Sequence, residues 1–172
     1  MKKLFIIILL CITIFGSEGY DSAIKLLNDN KIKEGIQALT KLAKDGDIDA
    51  QLDLYDNYNH GIYTKKDQKK AMYWIKKAAK RDSNAMAALG AQYIKQSNYV
   101  DGKVCLDKAA KDSSPVALWL LGAMYFDGTG VKQNCETSYK YHMKAIKAKS
   151  SQSAEYLFIA YNEGNTCIKK NK

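Results

Sequence analysis

Four short Lys/Ala-rich strings recur along the chain in one register: KLAK at 41–44, KAAK at 77–80, KAAK at 108–111 and KAIK at 144–147, spaced 36, 31 and 36 residues apart. A period of that length marks stacked repeats, since a unit this small buries its apolar face only against its neighbours. A second landmark follows each string at steps of four: Ala50, Leu54, Tyr58; Ala85, Leu89, Tyr93; Ala117, Leu121, Tyr125; Ser153, Leu157, Tyr161. Steps of four share one helix face, so each unit reads as helix A, turn, helix B, turn, with the Lys/Ala string closing helix B. Tyr58, Tyr93, Tyr125 and Tyr161 are core by this register. After each Leu comes Tyr55, Gly90, Gly122 or Phe158. A helical glycine costs about 1 kcal/mol relative to Ala, so Gly90 and Gly122 imply a second helix packed close.

Residues 61–79, GIYTKKDQKKAMYWIKKAA, resemble the second half of a Sel-one-like repeat (SLR), a relative of the tetratricopeptide repeat. Gly61, Asp67, Lys70, Ala71, Trp74, Lys77, Ala78 and Ala79 match the pattern, and Tyr63 and Thr64 depart from it. Gly128, Gly130, Val131, Lys144 and Ala145 match in a later unit, with Asn134 for Asp and Tyr141 for Trp. The A-x-x-x-L-G-x-x-Y half is complete at Ala85, Leu89, Gly90, Tyr93 and at Ala117, Leu121, Gly122, Tyr125. The resemblance covers roughly residues 34–164. It implies an all-α fold, a right-handed α/α solenoid of about four stacked helix-turn-helix repeats with the last one incomplete.

The repeats fall at roughly 20–47, 48–82, 83–114 and 115–150, then a half-repeat at 151–164 and a basic tail at 165–172. Ala23–Asn28 and Lys33–Lys44 form a degenerate first pair, turning at Asn28–Lys31. The 83–114 unit is four residues shorter between its landmarks, which predicts a tighter A–B turn and puts Cys105 at the Trp74 position and Gly102 at the Ala71 position. Residues 1–19 read as a secretory signal peptide: Lys2 and Lys3, an apolar run from Leu4 to Ile12, then Ser17 and Gly19 as small residues before the cut. The remaining chain, 20–172, is a single SLR domain, periplasmic or secreted.

The chain carries 27 Lys+Arg against 18 Asp+Glu, a formal charge of +9. Many lysines fall on helix B, either as a solvated outer face or as a surface for an acidic partner. Export and the lack of a nucleic-acid-binding motif argue against nucleic acid, and once the signal is removed no segment is left to insert stably in a membrane. The chain reads as a monomer on its own. Cys135 and Cys167 share one edge of adjacent repeats in this register, which predicts a disulfide, against the alternative of unpaired thiols. Cys105 reads as a buried thiol.

Catalysis has little support. His60 and His142 are the only histidines, too few for a metal site, and no cofactor motif is present. Ser22-Ala23-Ile24-Lys25 is formally S-x-x-K without its S-D-N or K-T-G companions, so chance accounts for it. Binding has a better basis. Positions about 200° around helix A from the core face lie on its opposite side, and in tetratricopeptide-like solenoids, which this chain resembles, they line a concave groove. They are Leu52, Asp56 and Asn59; Ala87, Ala91 and Ile94; Trp119, Ala123 and Phe126; and Glu155, Ile159 and Asn162. Trp119 and Phe126 serve either as binding anchors or as core wedges between neighbouring A helices. The leading function is a non-catalytic exported protein-interaction module. Small exported SLR proteins resemble periplasmic immunity proteins that inhibit secreted toxic effectors such as lipases. The alternatives are a cell-wall or penicillin-binding, β-lactamase-like SLR protein, and a secreted host-interaction factor.

Overall fold

A computed structural model describes residues 18–155; the signal-peptide reading of 1–19 falls almost wholly outside them. Every regular element among the described residues is helical. They divide into two compact units, one running up to Arg81 and the other starting at Asp82. In the first, a helix over 18–28 (α1) is followed by α2 (Ile32–Asp45), α3 (Ile48–His60) and α4 (Gln68–Ala78). The second holds α5 (Ser83–Lys95), α6 (Tyr99–Lys111), α7 (Pro115–Asp127), α8 (Cys135–Lys147) and the start of α9 from 151. Odd-numbered helices are the A helices of the sequence pattern, and even-numbered ones are the B helices.

Local chemistry explains the boundaries. Each helix from α3 to α8 opens on a side chain that accepts the backbone N–H three residues on: Asp47, Asp67, Asp82, Asn98, Ser114 and Asn134. Such a cap satisfies one of the orphan donors of the first turn and is worth about 1 kcal/mol. The Asp of the repeat pattern is thus a helix B cap at Asp67, and Asn134 performs the same task. Pro115 sits at the first turn of α7, where its missing N–H costs nothing. The tighter turn expected between α5 and α6 is Gln96–Asn98, turned by Ser97 at φ 60°.

The packed face is the one the landmarks mark. Ala50 and Leu54 are buried in the first unit, and Ala85, Leu89, Ala117 and Leu121 in the second. The tyrosines correct the expectation: Tyr58, Tyr93 and Tyr125 are half-buried rather than core. The reason is geometric, since the second step of four carries them to the last turn of helix A, beyond the most buried part of the packed face. Tyr125 stacks on Tyr141 of α8 with centroids 5.7 Å apart, and the Lys70 Nζ lies 5.0 Å from the Tyr58 centroid. Tyr161 lies outside the described residues.

Both repeat glycines mark close helix contacts. A Cβ on Gly90 would lie 2.9 Å from Leu106 and 3.0 Å from the Gly102 carbonyl. On Gly122 it would lie 2.7 Å from the imidazole of His142. His142 is fully buried in the register position that Ile75 and Leu106 fill in their own repeats.

Candidate functional site

The expected binding stripe on the A helices divides by burial. In the first unit Asp56 of α3 is exposed, and Leu52 and Asn59 are half-buried. In the second, Ala87 has no exposed surface and packs with Leu106, Ala109 and Leu121, which removes it from any binding face. Ile94 packs toward Gly102, whose added Cβ would meet it at 2.7 Å. Tight α5–α6 packing at paired glycines turns these positions inward. Ala91, Trp119, Ala123 and Phe126 keep partial exposure, although the Trp119 indole nitrogen is buried and lacks a hydrogen-bond partner among the described residues. Glu155 is exposed, and Ile159 and Asn162 lie outside the described residues.

The first unit contains a cavity of about 410 Å³ between α1, α2, α3 and the loop after α3. Asp21, Asp53 and Asp56 contribute carboxylates to its lining, and Ile24, Leu27 and Leu39 contribute apolar wall. The Tyr20 hydroxyl donates to Asp53 Oδ2 at 2.7 Å. Desolvation, that bond and the neighbouring carboxylates together push the Tyr20 phenol well above its ordinary range. Burial likewise raises Asp56, with His60 opposing and Asp53 adding to the shift. Asn57, 2% exposed, organises the loop: its Oδ1 accepts from Tyr63 N (3.3 Å), Thr64 N (3.1 Å) and Thr64 Oγ1 (3.0 Å). Those donors fix the amide orientation and leave its Nδ2 buried without a partner among the described residues. Of this lining the repeat pattern names only Asp56, expected on the groove-facing stripe of α3 rather than in this cavity, and it does not name Tyr20, Asp53 or Asn57. The register equivalents of Asn57 are Gln92 and Met124, so no recurrence flagged it.

Each unit also carries a basic cleft, and the two share a register. In the first, of about 240 Å³, Lys44, Lys77 and Lys80 surround Ala43, Gln51 and Trp74. In the second, of about 790 Å³, Lys111, Lys144 and Lys147 surround Ala110, Leu118 and Tyr141. Every one of these pairs is separated by the same 67 residues. Asp107, at the edge of the second cleft, is paired with Lys103 at 2.7 Å. The recurrent lysines thus line a repeated concavity, and aromatic residues form its floor.

The catalytic and metal candidates resolve simply. Ser22 is exposed within α1, and its hydroxyl donates to the Glu18 carbonyl at 2.7 Å, a common back-bond of helical serine. His60 ends α3 beside Gly61, which takes φ 73° at the C-cap. The His142 Nδ1 lies 3.2 Å from the Ser153 hydroxyl, and burial lowers its pKa to about 4. Among the described residues no group of three His, Cys, Asp or Glu side chains is placed to hold a metal ion, and no helix is long and apolar enough to cross a membrane. Cys105 is a thiol outside any disulfide and is half-buried rather than buried. Cys135 opens α8, and Cys167, the other half of the expected bridge, lies outside the described residues.

Capped helix pairs of constant register, packed through Ala, Leu and Gly, define an α-helical repeat protein. Two of its repeats, residues 48–83 and 115–150, match the Sel1 repeat family. The structure is similar to that of a protective antigen present in uropathogenic Escherichia coli strains that displays an SLR fold, with 26% identity and a TM-score of 0.67 over 76% of this chain and 29% of that one. It is also similar to a Sel1 repeat protein from Oxalobacter formigenes, with 24% identity and a TM-score of 0.72 over 85% of this chain and 62% of that one. The chain therefore spans less than two thirds of either relative's length and shares with them the SLR fold.

Proposed function

We propose that this protein is an exported, non-catalytic interaction module that binds another protein through the A-helix faces and the lysine-lined clefts beside them. Sel1-repeat proteins generally mediate protein–protein interaction, and their fold is typically a scaffold rather than a catalyst. The observation that carries the reading here is the repeated cleft. Two concavities built from the same register positions, each ringed by lysines over an aromatic floor, suit a partner with acidic side chains beside apolar ones. On the A-helix side, the half-exposed Trp119, Ala123 and Phe126 offer an apolar stripe of the kind that anchors interfaces. In its specific form, the proposal is a periplasmic immunity protein that neutralises a secreted toxic effector such as a lipase. The signal-peptide pattern of residues 1–19 and the resemblance to small exported SLR inhibitors support that form.

The test is capture of partners from periplasmic extract by the mature chain, followed by calorimetry with the captured protein. Replacing Lys111, Lys144 and Lys147 by Gln should weaken binding at least about tenfold and flatten its salt dependence. Trp119→Ala should cost a further loss of about 2 kcal/mol in binding with the fold retained. Unchanged affinity in both variants would remove these surfaces from the interface.

A further inference from the structure

We propose that the acidic cavity of the first unit captures the free amino terminus of a peptide, with an apolar first residue. This deepens the interaction-module reading and rests on it for the biological source of the peptide.

Three features of the cavity define the ligand. First, Asp21, Asp53 and Asp56 line it in a chain of 27 lysines and arginines, yet none of the three is in an ion pair among the described residues. Tyr20 occupies only one oxygen of Asp53, so the other oxygen and the Asp56 carboxylate are available to a cation. The same carboxylates are not grouped closely enough to hold a metal ion, which favours an ammonium with three diverging donors. Second, the Asn57 Nδ2 is a buried donor with no partner among the described residues, and Asn57 is part of the cavity lining. An unpaired buried donor is costly, so a ligand acceptor that meets it gains more than an exposed hydrogen bond would give. Asp53 and Asn57 stand four residues apart on α3, neighbours on one helix face about 5–6 Å apart at Cβ. An ammonium and a carbonyl group joined through one carbon, as they are in the first residue of a peptide, fit that spacing. A lysine side chain separates its ammonium from its own backbone carbonyl by five carbons and matches the pair less well. Third, the remaining wall is apolar, from Ile24, Leu27 and Leu39, and Ile62 at the mouth is 59% exposed. That wall suits an aliphatic first side chain.

The amine is protonated at neutral pH, the state the carboxylates require. A bound terminus would donate to Asp53 and Asp56 and accept from Asn57, so acetylating it would remove both the charge and the donors. This predicts that the partner is recognised only with an unblocked, processed amino terminus.

The experiment is a ¹H–¹⁵N NMR titration with leucinamide of a chain that keeps Ser17, Glu18 and Gly19, so that the Tyr20 nitrogen stays in a peptide bond and adds no ammonium of its own to the cavity; N-acetyl-leucinamide and n-butylammonium are the comparison probes. Leucinamide should bind saturably, shifting the Asn57 side-chain amide and the backbone of α3. The acetylated probe should bind at least about tenfold more weakly, as expected for loss of charged hydrogen bonds. Butylammonium, which has no acceptor, should also bind more weakly and leave the Asn57 side-chain amide unmoved. Asp56→Asn, at an exposed position that folding tolerates, should reduce leucinamide affinity about tenfold with an unchanged melting curve. Equal binding of the acetylated probe would overturn the proposal, as would equal binding of butylammonium, or shifts located away from α3. None of these readouts needs the partner. Leucinamide binding with no partner captured would count against the module reading alone, and a captured partner that binds equally well when acetylated would exclude this cavity from the interface.

Discussion

Gly122 of α7 lies directly beneath the ring of His142 on α8, so that a single added methyl would sit 2.7 Å from the imidazole. Gly90 faces Leu106 of α6 in the same way, at 2.9 Å, so the glycine marks a close helix contact in both repeats, and here the contacting group is a fully buried ring. Gly122→Ala should therefore destabilise the protein by about 1–3 kcal/mol despite the better helix propensity of alanine. Urea unfolding measures this, and a neutral or stabilising result would mean that the two helices separate freely.

His142 should also make the second unit sensitive to acid. Burial lowers its pKa from 6.5 to about 4, so between those values the unfolded chain binds a proton that the folded one excludes. Stability is then lost as pH falls from about 6.5 to about 4, by roughly 1–3 kcal/mol, and the loss levels off below the folded value. Thermal melts between pH 7 and 4 should show this slope in the wild type and a much shallower one in His142→Gln.

The caps of the B helices should be interchangeable in chemistry but not dispensable. Asp67→Asn should be nearly neutral, since Asn134 accepts from Thr137 N at 2.9 Å in the equivalent place. Asp67→Ala and Asn134→Ala should each cost about 1 kcal/mol. If the Asp67 cap matters, its stabilisation is also lost when the carboxyl is protonated, because the Lys70 backbone N–H holds its pKa below the ordinary carboxylate value. Chemical denaturation of the three variants at pH 7 checks the ranking.

The proposed Cys135–Cys167 bridge should hold the chain's last segment to α8. Peptide mapping without reductant should recover that pair and leave Cys105 as a thiol. Reduction, or Cys135→Ser, should then lower stability by about 2–4 kcal/mol. Recovery of both cysteines as thiols would dismiss the bridge.

What the sequence determined by itself was everything set by local chemistry and period. The recurring Lys/Ala strings mark where each helix B closes, and the four-residue steps of Ala50, Leu54 and their equivalents state which face is packed. These are properties of a few consecutive residues, so they could be read without knowing what lies opposite. Only the tertiary structure decided how each face is shared among neighbours. It buried Ala87 because Gly90 and Gly102 let α5 and α6 close, and it left Tyr58, Tyr93 and Tyr125 half in water at helix ends. It also brought Tyr20 to Asp53, 33 residues away, and seated Asn57 beneath a loop whose backbone takes only one side of its amide. Contacts of that kind join residues with no shared period, and their energy comes from desolvation and from partners that the repeat pattern does not name.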